Sequence, residues 1–132
     1  MRLYLVRHAE AAKGEPDDLR PLTLAGRQAA RALGARLAAE GVCADAVLTS
    51  PLLRARETGA ELGRALGIDP EPDERLGPGA TADDVRDAVS GRGAAVVVVG
   101  HQPDCGEIAA QLTGAPAPAF PPAGLAVLEL DR

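Results

Sequence analysis

The sequence predicts an α/β fold with three layers, in which helices cover both faces of a mainly parallel central sheet. Short apolar segments alternate with helical segments along the chain, which is the pattern that β-α-β units produce. Residues 94–99 are apolar at every position, as is typical of a strand buried on both faces of a parallel sheet. A length of 132 residues suits one hydrophobic core, so we expect residues 1–132 to form a single domain.

The first predicted strand spans residues 3–6, an apolar run bounded by charged residues. Residues 11–22 are mostly polar and contain one glycine and two prolines, which indicates a surface loop. Thr23 can then cap a helix, because its hydroxyl can accept a hydrogen bond from a free backbone N–H group. We expect this helix to end near Gly41. Its predicted buried face carries Ala29, Leu33 and Leu37.

The second predicted strand spans residues 46–49 and leads into a helix that we expect to end just before Gly67. Ser50 is predicted as the N-cap of this helix. Pro51 is predicted as its first residue, since proline lacks the N–H group that this position leaves unpaired. The predicted inward face consists of Leu52, Ala55, Leu62 and Leu66.

The second half of the chain continues the alternation. Residues 68–80 are rich in proline and glycine and are predicted to be mostly irregular. Thr81 and Asp84 have the spacing of a capping box, which predicts a short helix. Pro103 opens a further helix after the central apolar strand, and residues 125–130 are predicted to form the last strand. The buried residues of the two helices are predicted to be Val85, Ala88 and Val89, and then Ile108, Ala109 and Leu112.

Charge and composition exclude several classes of partner. The net charge of −5 repels a phosphate backbone, and two aromatic residues are too few to stack nucleic-acid bases. The apolar run at residues 3–6 is too short for a signal peptide or a transmembrane helix, so we expect a cytoplasmic protein without a membrane partner. Cys43 and Cys105 fit neither a disulfide framework nor a metal-ligand spacing. We expect no metal or other cofactor, and we favour a monomer.

Both histidines and two arginines follow predicted strands. Arg7 and His8 follow the first strand, Arg54 lies in the first turn after the second, and His101 follows the third. Because the carboxyl ends of parallel strands lie along one edge of a sheet, these side chains should converge on one cleft. A neutral imidazole can attack phosphorus near pH 7, and arginines stabilise the charge of a phosphoryl group. The cluster therefore predicts phosphoryl transfer, with either histidine able to be the nucleophile.

Two other kinds of site fit single pieces of this pattern. A metal site has only the weak ligand pairs His8 with Glu10 and His101 with Asp104. A serine hydrolase could use Ser50, but no G-x-S-x-G elbow is present and a helix cap explains this serine. Phosphoryl transfer is therefore preferred over both.

Three motifs together resemble those of the histidine phosphatase superfamily, whose fold is phosphoglycerate-mutase-like. They are Leu-Val-Arg-His-Ala-Glu at residues 5–10, Ser-Pro-Leu-Leu-Arg-Ala-Arg-Glu-Thr at residues 50–58, and Val-Gly-His-Gln-Pro at residues 99–103. The resemblance implies that His8 is the residue that becomes phosphorylated. It also implies a phosphate pocket formed by Arg7, Arg54 and His101.

Within that superfamily, the short chain and the segments at residues 18–23 and 100–104 look most like the SixA-type phosphohistidine phosphatases. This resemblance adds Arg20 to the phosphate pocket. The superfamily motif usually has glycine where Ala9 stands, and alanine would be strained there if the backbone needed a positive φ. Alanine also occurs at this place in SixA-like sequences, so the difference favours that subgroup.

The need for a proton donor differs between substrates. An alkoxide leaves poorly without a general acid, whereas the imidazole of a phosphohistidine needs less help. Superfamily members that act on esters carry an acid after the second helix, and Glu74 is the nearest candidate here. Little chain remains between Gly67 and Ala94 for a lid, so we expect an open cleft that admits a phosphorylated side chain of another protein.

Three hypotheses follow from these observations. The first is a metal-independent phosphatase, a hydrolase that removes the phosphoryl group of phosphohistidine on a protein through a phospho-His8 intermediate. The second is a phosphatase for small phosphoesters such as sugar phosphates, with Glu74 as its acid. The third is a non-catalytic domain that binds phosphorylated ligands in the same pocket.

Overall fold

The part of the chain that the structure describes, residues 1–131, is built on a five-stranded sheet. The structure is a computed structural model. Its strands are β1 (Arg2–Arg7), β2 (Ala46–Thr49), β3 (Pro70–Pro72), β4 (Ala95–Gly100) and β5 (Leu125–Glu129). They lie in the order β3-β2-β4-β1-β5, and every neighbouring pair is parallel except β1 and β5. The sheet is therefore mainly parallel, as predicted, with β4 at its centre.

Helices cover both faces of this sheet. They are α1 (Leu24–Ala39), α2 (Leu53–Leu66), α3 (Ala82–Val89) and α4 (Asp104–Thr113). Helices α1 and α2 pack on the face that carries Tyr4 and Val6, while α3 and α4 pack on the face that carries Leu3 and Leu5. Successive side chains of a strand point to opposite faces, so a strand covered on both sides has a continuous apolar sequence. The predicted three-layer architecture is confirmed.

Helix α1 begins where the sequence predicts, because Thr23 Oγ1 accepts a hydrogen bond from the Gly26 N–H group at 2.9 Å. Its buried face differs from the predicted one by one residue: Ala30 is buried and Ala29 is exposed. Two glycines on this face allow close contact with neighbouring segments. A Cβ atom on Gly34, for example, would lie 2.9 Å from a side-chain carbon of α2. Helix propensity alone disfavours glycine, but at these two positions its lack of a side chain allows α1 to pack closely on its neighbours.

Helix α2 starts later than predicted. Leu52 occupies the N-cap position without a side-chain hydrogen bond, and the helix begins at Leu53, so the prediction that Ser50 caps it is wrong. Leu52 is half-buried and precedes the helix, so it is not part of its inward face. At the other end Gly67 has a φ of +73°, the left-handed conformation that commonly follows a helix.

Residues 68–80 contain more regular structure than predicted. Pro70–Pro72 form β3, which pairs with β2 at the edge of the sheet, and Glu74–Leu76 form a 3₁₀ turn. An edge strand tolerates proline because only one of its sides takes part in the hydrogen-bond ladder. The prediction of a mostly irregular segment is therefore wrong for these residues.

The remaining elements lie close to their predicted positions. Thr81 and Asp84 form the predicted capping box at the start of α3. Helix α4 begins one residue after Pro103, and β5 ends at Glu129 instead of residue 130. Within residues 1–131, no helix is long and apolar enough to cross a membrane.

Candidate active site

Strand register places the two histidines side by side. Strands β1 and β4 pair so that Arg7 lies opposite Gly100, and the His8 N–H group donates to the Gly100 carbonyl at 3.0 Å. His101 follows Gly100 directly, and the centroids of the two imidazole rings are 5.1 Å apart. Parallel pairing thus brings both histidines to the carboxyl edge of the sheet, where ligands bind in folds of this class.

The His8 ring has one nitrogen engaged and one free. Nδ1 lies 2.7 Å from the Ala9 carbonyl, and because a carbonyl can only accept, Nδ1 must carry the proton. The lone pair is then on Nε2. Burial lowers the pKa of His8 below its ordinary value, and the positive charges of Arg54 and two further arginines also lower it. His8 is therefore neutral near pH 7, as a nucleophile must be.

Ser50 contacts His101 instead of capping a helix. Its Oγ lies 2.8 Å from His101 Nε2 and accepts a hydrogen bond from the Leu52 N–H group at 3.2 Å. Burial, followed by the neighbouring His8 and Arg54, lowers the pKa of His101 to about 4, so the ring is neutral at pH 7. Ser50 is fully buried, which keeps its hydroxyl from reaching a substrate as a hydrolase nucleophile would.

The neutral His101 ring and the Ser50 hydroxyl determine each other's hydrogen positions. A buried hydroxyl hydrogen needs an acceptor, and the lone pair of His101 Nε2 is the acceptor within reach. With Ser50 donating to Nε2, the proton of the neutral ring is on Nδ1. His101 can therefore be a hydrogen-bond donor without carrying a charge.

Arg7 is held by the loop that precedes β5. Its Nη1 donates to the Phe120 carbonyl at 2.9 Å, and Phe120 itself is only 4% exposed. The proline-rich segment at residues 115–122 is thus anchored beside the site by its single aromatic side chain. The Nε atom of Arg7 is buried and has no hydrogen-bond partner within residues 1–131, so it retains a donor for a ligand oxygen.

Asp17 connects the other two arginines. Its carboxylate accepts hydrogen bonds from Arg54 Nη2 at 3.2 Å and from Arg20 Nε at 3.0 Å, and its carbonyl accepts from Arg54 Nη1 at 2.8 Å. Arg20 also donates to the Ala12 carbonyl at 3.2 Å. These contacts fix the direction of two long side chains that would otherwise lose conformational freedom on binding an anion.

One cavity of about 400 Å³ joins these groups. The residues predicted for the phosphate pocket, which are Arg7, His8, Arg20, Arg54 and His101, all line it. The other lining residues are Glu10, Ala11, Pro78, Gln102 and Pro122. Three guanidinium groups around one neutral imidazole suit bidentate contact with the oxygens of a phosphoryl group.

Glu74, the candidate acid, does not line this cavity. It is exposed at the start of the 3₁₀ turn after β3, and Pro78 is the nearby residue that reaches the cavity wall. The carboxyl group among the lining residues belongs to Glu10. Within residues 1–131, no group of three or more His, Cys, Asp or Glu side chains is placed to hold a metal ion.

The structure also explains why alanine is accepted after His8. Ala9 is fully buried and is not among the residues with positive φ, so the strain considered for this position does not arise. Its N–H group donates to Thr58 Oγ1 at 3.0 Å. Because Thr58 is the last residue of the motif at residues 50–58, this bond joins the first two motifs directly.

Sequence reasoning missed three contributors to the site. Asp17 begins a 3₁₀ turn, Asp17–Leu19, inside a segment that the sequence predicts only as a loop, and Phe120 acts through its backbone carbonyl, which any residue possesses. The contact of Ser50 with His101 was hidden by the simpler interpretation as a helix cap. The signal available in the sequence was that the polar residue Ser50 and the motif histidine His101 each follow a predicted strand.

Comparisons with known proteins agree with this geometry. Residues 3–77 match the model of the histidine phosphatase superfamily, branch 1. The phosphohistidine phosphatase SixA of Escherichia coli is 33% identical over all of this chain and 87% of its own. An uncharacterized protein of Picosynechococcus sp. is 39% identical over 81% of this chain and 70% of its own.

The likeness extends to three dimensions. A structure of the protein histidine phosphatase SixA complexed with tungstate has a TM-score of 0.90 and 30% sequence identity, covering 99% of this chain and 89% of that one. The match of the family model covers more than half of the chain, and it includes both the His8 motif and the Arg54 motif. The chain belongs to the histidine phosphatase superfamily.

Proposed function

We propose that this protein is a metal-independent phosphatase that hydrolyses phosphohistidine on a protein substrate through a covalent phospho-His8 intermediate. The observation that carries the proposal is the state of the His8 ring. Its Nδ1–H group is held by the Ala9 carbonyl at 2.7 Å, so Nε2 presents a lone pair in a cavity lined by three arginines. The relation to SixA supports phosphohistidine as the substrate.

In the first step, His8 Nε2 attacks the phosphorus atom and the bond from phosphorus to the leaving group breaks. Negative charge is spread over the three equatorial oxygens in such a transfer. Arg7, Arg20 and Arg54 stabilise this charge, and the neutral His101 donates a hydrogen bond from its ring. The arginines supply the positive charge that a metal ion provides in other phosphoryl-transfer sites.

In the second step, water attacks the phosphorus atom of phospho-His8 and the bond to Nε2 breaks. The phosphorylated ring keeps its proton on Nδ1, because the Ala9 carbonyl continues to accept it. The ring therefore departs as neutral imidazole, a much better leaving group than its anion. Inorganic phosphate and the resting form of His8 result.

The position of Glu74 favours phosphohistidine over phosphoesters. An ester releases a poor alkoxide and benefits from a nearby acid, but Glu74 lies outside the cavity. Phosphohistidine releases an imidazole and can be cleaved without such an acid.

We further propose that the enzyme is a cytoplasmic monomer.

Point variants and two kinds of substrate test this proposal. A peptide with one phosphohistidine and a panel of sugar phosphates are compared at pH 7. We expect His8→Asn to lower kcat by about 10³-fold or more, because the nucleophile is lost. Arg54→Ala is expected to lower kcat/KM by about 100-fold. Arg56→Ala is the matched control, since Arg56 is exposed on the same helix and does not line the cavity.

Trapping the intermediate completes the test. Acid-labile phosphate should appear on the wild-type chain during turnover and should be absent from the His8→Asn variant. Full activity of that variant contradicts the mechanism. Faster cleavage of sugar phosphates, lost in Glu74→Gln, would favour the phosphoesterase hypothesis instead. Tight binding of the peptide without turnover would mean a non-catalytic binding domain.

A further inference from the structure

Glu10 brings the one carboxylate that lines the cavity within residues 1–131. It lies two residues after His8, among three arginines and two histidines that all suit an anion. A carboxylate repels a phosphoryl group, so it is a poor choice for binding the phosphoryl oxygens themselves. A group that carries a hydrogen-bond donor or a positive charge suits this carboxylate better than the phosphoryl oxygens do.

The Glu10 side chain is held in place by the start of helix α1. Thr23 Oγ1 donates to Glu10 Oε1 at 2.8 Å, and the Thr23 N–H group donates to the Glu10 carbonyl at 3.0 Å. Gly26 packs so closely on this backbone that a Cβ atom there would lie 2.1 Å from the Glu10 carbonyl oxygen. The Glu10 side chain is exposed, and this contact to Thr23 directs one carboxylate oxygen while the second oxygen stays available to a ligand.

The leaving group of phosphohistidine has the donor that such a carboxylate requires. One ring nitrogen carries phosphorus, and the other can bind a proton, which makes the ring cationic. When the bond to phosphorus breaks, the protonated ring leaves as neutral imidazole, whereas an unprotonated ring must leave as an anion. On His8, the corresponding ring proton is held by the Ala9 carbonyl, whose oxygen lies 2.7 Å from Nδ1. Because that carbonyl is already engaged by His8, the substrate ring needs a different acceptor.

We propose that Glu10 does for the substrate ring what Ala9 does for His8: its carboxylate accepts the N–H group of the protonated imidazole of phosphohistidine. The inference rests on the proposed function. During transfer, His8 Nε2 forms a bond to phosphorus, and the bond between phosphorus and the substrate nitrogen breaks. The bonding electrons stay on that nitrogen, and the proton stays on the other ring nitrogen, hydrogen-bonded to Glu10. No further reactant is needed.

This role selects the substrate by its leaving group. A carboxylate near a cationic ring raises the pKa of that ring, so a larger fraction is protonated and ready to leave. The same carboxylate offers no proton to a departing alkoxide or phenolate, and it repels their developing negative charge. Through this one carboxylate in the cavity wall, the enzyme therefore favours phosphohistidine over phosphoesters.

The test compares Glu10→Gln with wild type on a phosphohistidine peptide and on p-nitrophenyl phosphate. Glutamine keeps the shape of the side chain and can still accept from Thr23, but it lacks the charge. We expect kcat/KM to fall about tenfold or more on the peptide and to rise on the ester. The alkaline limb of kcat on the peptide should move to lower pH by about one unit, because the ring loses its partner charge.

Two further variants sharpen the result. Glu10→Asp retains the charge and is expected to keep more peptide activity than Glu10→Gln. Glu15→Gln makes the same chemical change at an exposed residue outside the cavity and is expected to match wild type. An equal loss on both substrates, or an unmoved alkaline limb, overturns the role of Glu10. A wild-type enzyme that ignores the peptide but cleaves esters instead overturns the proposed function, so the two failures are distinguishable.

Discussion

Replacing Gly26 by alanine sets helix propensity against packing. Alanine is favoured over glycine in a helix by about 1 kcal/mol, so propensity alone predicts a more stable protein. In the structure, the new Cβ would lie 2.1 Å from the carbonyl oxygen of Glu10, whereas carbon and oxygen atoms in ordinary contact are about 3.3 Å apart. Helix α1 and the segment after β1 that contains Glu10 must therefore separate by roughly 1 Å. The obstructing atom belongs to the backbone, so it cannot move aside as the end of a side chain could.

The expected balance is a loss of stability. Overpacking of this kind costs about 3 kcal/mol, which exceeds the propensity gain and leaves a net loss of about 2 kcal/mol. For a domain of this size that corresponds to a decrease in Tm of about 8 °C. Because Glu10 lies two residues from His8, a shift of roughly 1 Å should also lower kcat/KM by about tenfold or more.

Thermal unfolding followed by circular dichroism, together with kcat/KM on the phosphohistidine peptide, measures both effects. Gly34→Ala is the matched comparison on the same helix, since its Cβ would lie 2.9 Å from the Cβ of Ala65 and does not press on the site. It should destabilise less and retain activity. A Gly26→Ala protein with a raised Tm and full activity would refute the packing of α1 against Glu10.

Three further predictions concern the site and its support. Because the pKa of His101 is lowered to about 4 from an ordinary value of 6.5, the folded state binds this proton less readily than the unfolded state; stability should therefore decrease as pH falls from about 6.5 toward 4, and unfolding titrations of His101→Gln should show a weaker decrease. Ser50→Ala should lower kcat/KM by about tenfold by releasing the His101 ring, whereas Ser90→Ala, at an exposed helix end, should have no effect on activity. Phe120→Ala should lower the free energy of unfolding by about 3 kcal/mol and also reduce kcat/KM, because the carbonyl that holds Arg7 moves. Phe120→Leu should lose less stability and less activity. Equal values for the two variants would contradict this anchoring role.

Much of the fold is encoded locally. Residues 94–99 are uniformly apolar because β4 is covered on both faces. Two helix starts are marked correctly, one by Thr23 as an N-cap and the other by the capping-box spacing of Thr81 and Asp84. These features depend on burial and on hydrogen bonds within a few residues, so they appear in the sequence itself. The segment Pro70–Pro72 was missed because its strand pairing comes from its place at the sheet edge, against the local preference of proline.

The order of residues along the chain already places Arg7 and His8 at the end of the first strand, another arginine after the second and a second histidine after the central one. Parallel pairing then places these residues at one edge of the sheet, whatever the details of packing. The partners that hold these side chains are set by tertiary packing. Arg54 is held by a residue 37 positions away, His101 by one 51 positions away, and Arg7 by a carbonyl 113 positions away. Such contacts depend on how loops and layers pack against one another, and no local pattern of propensity or burial specifies them.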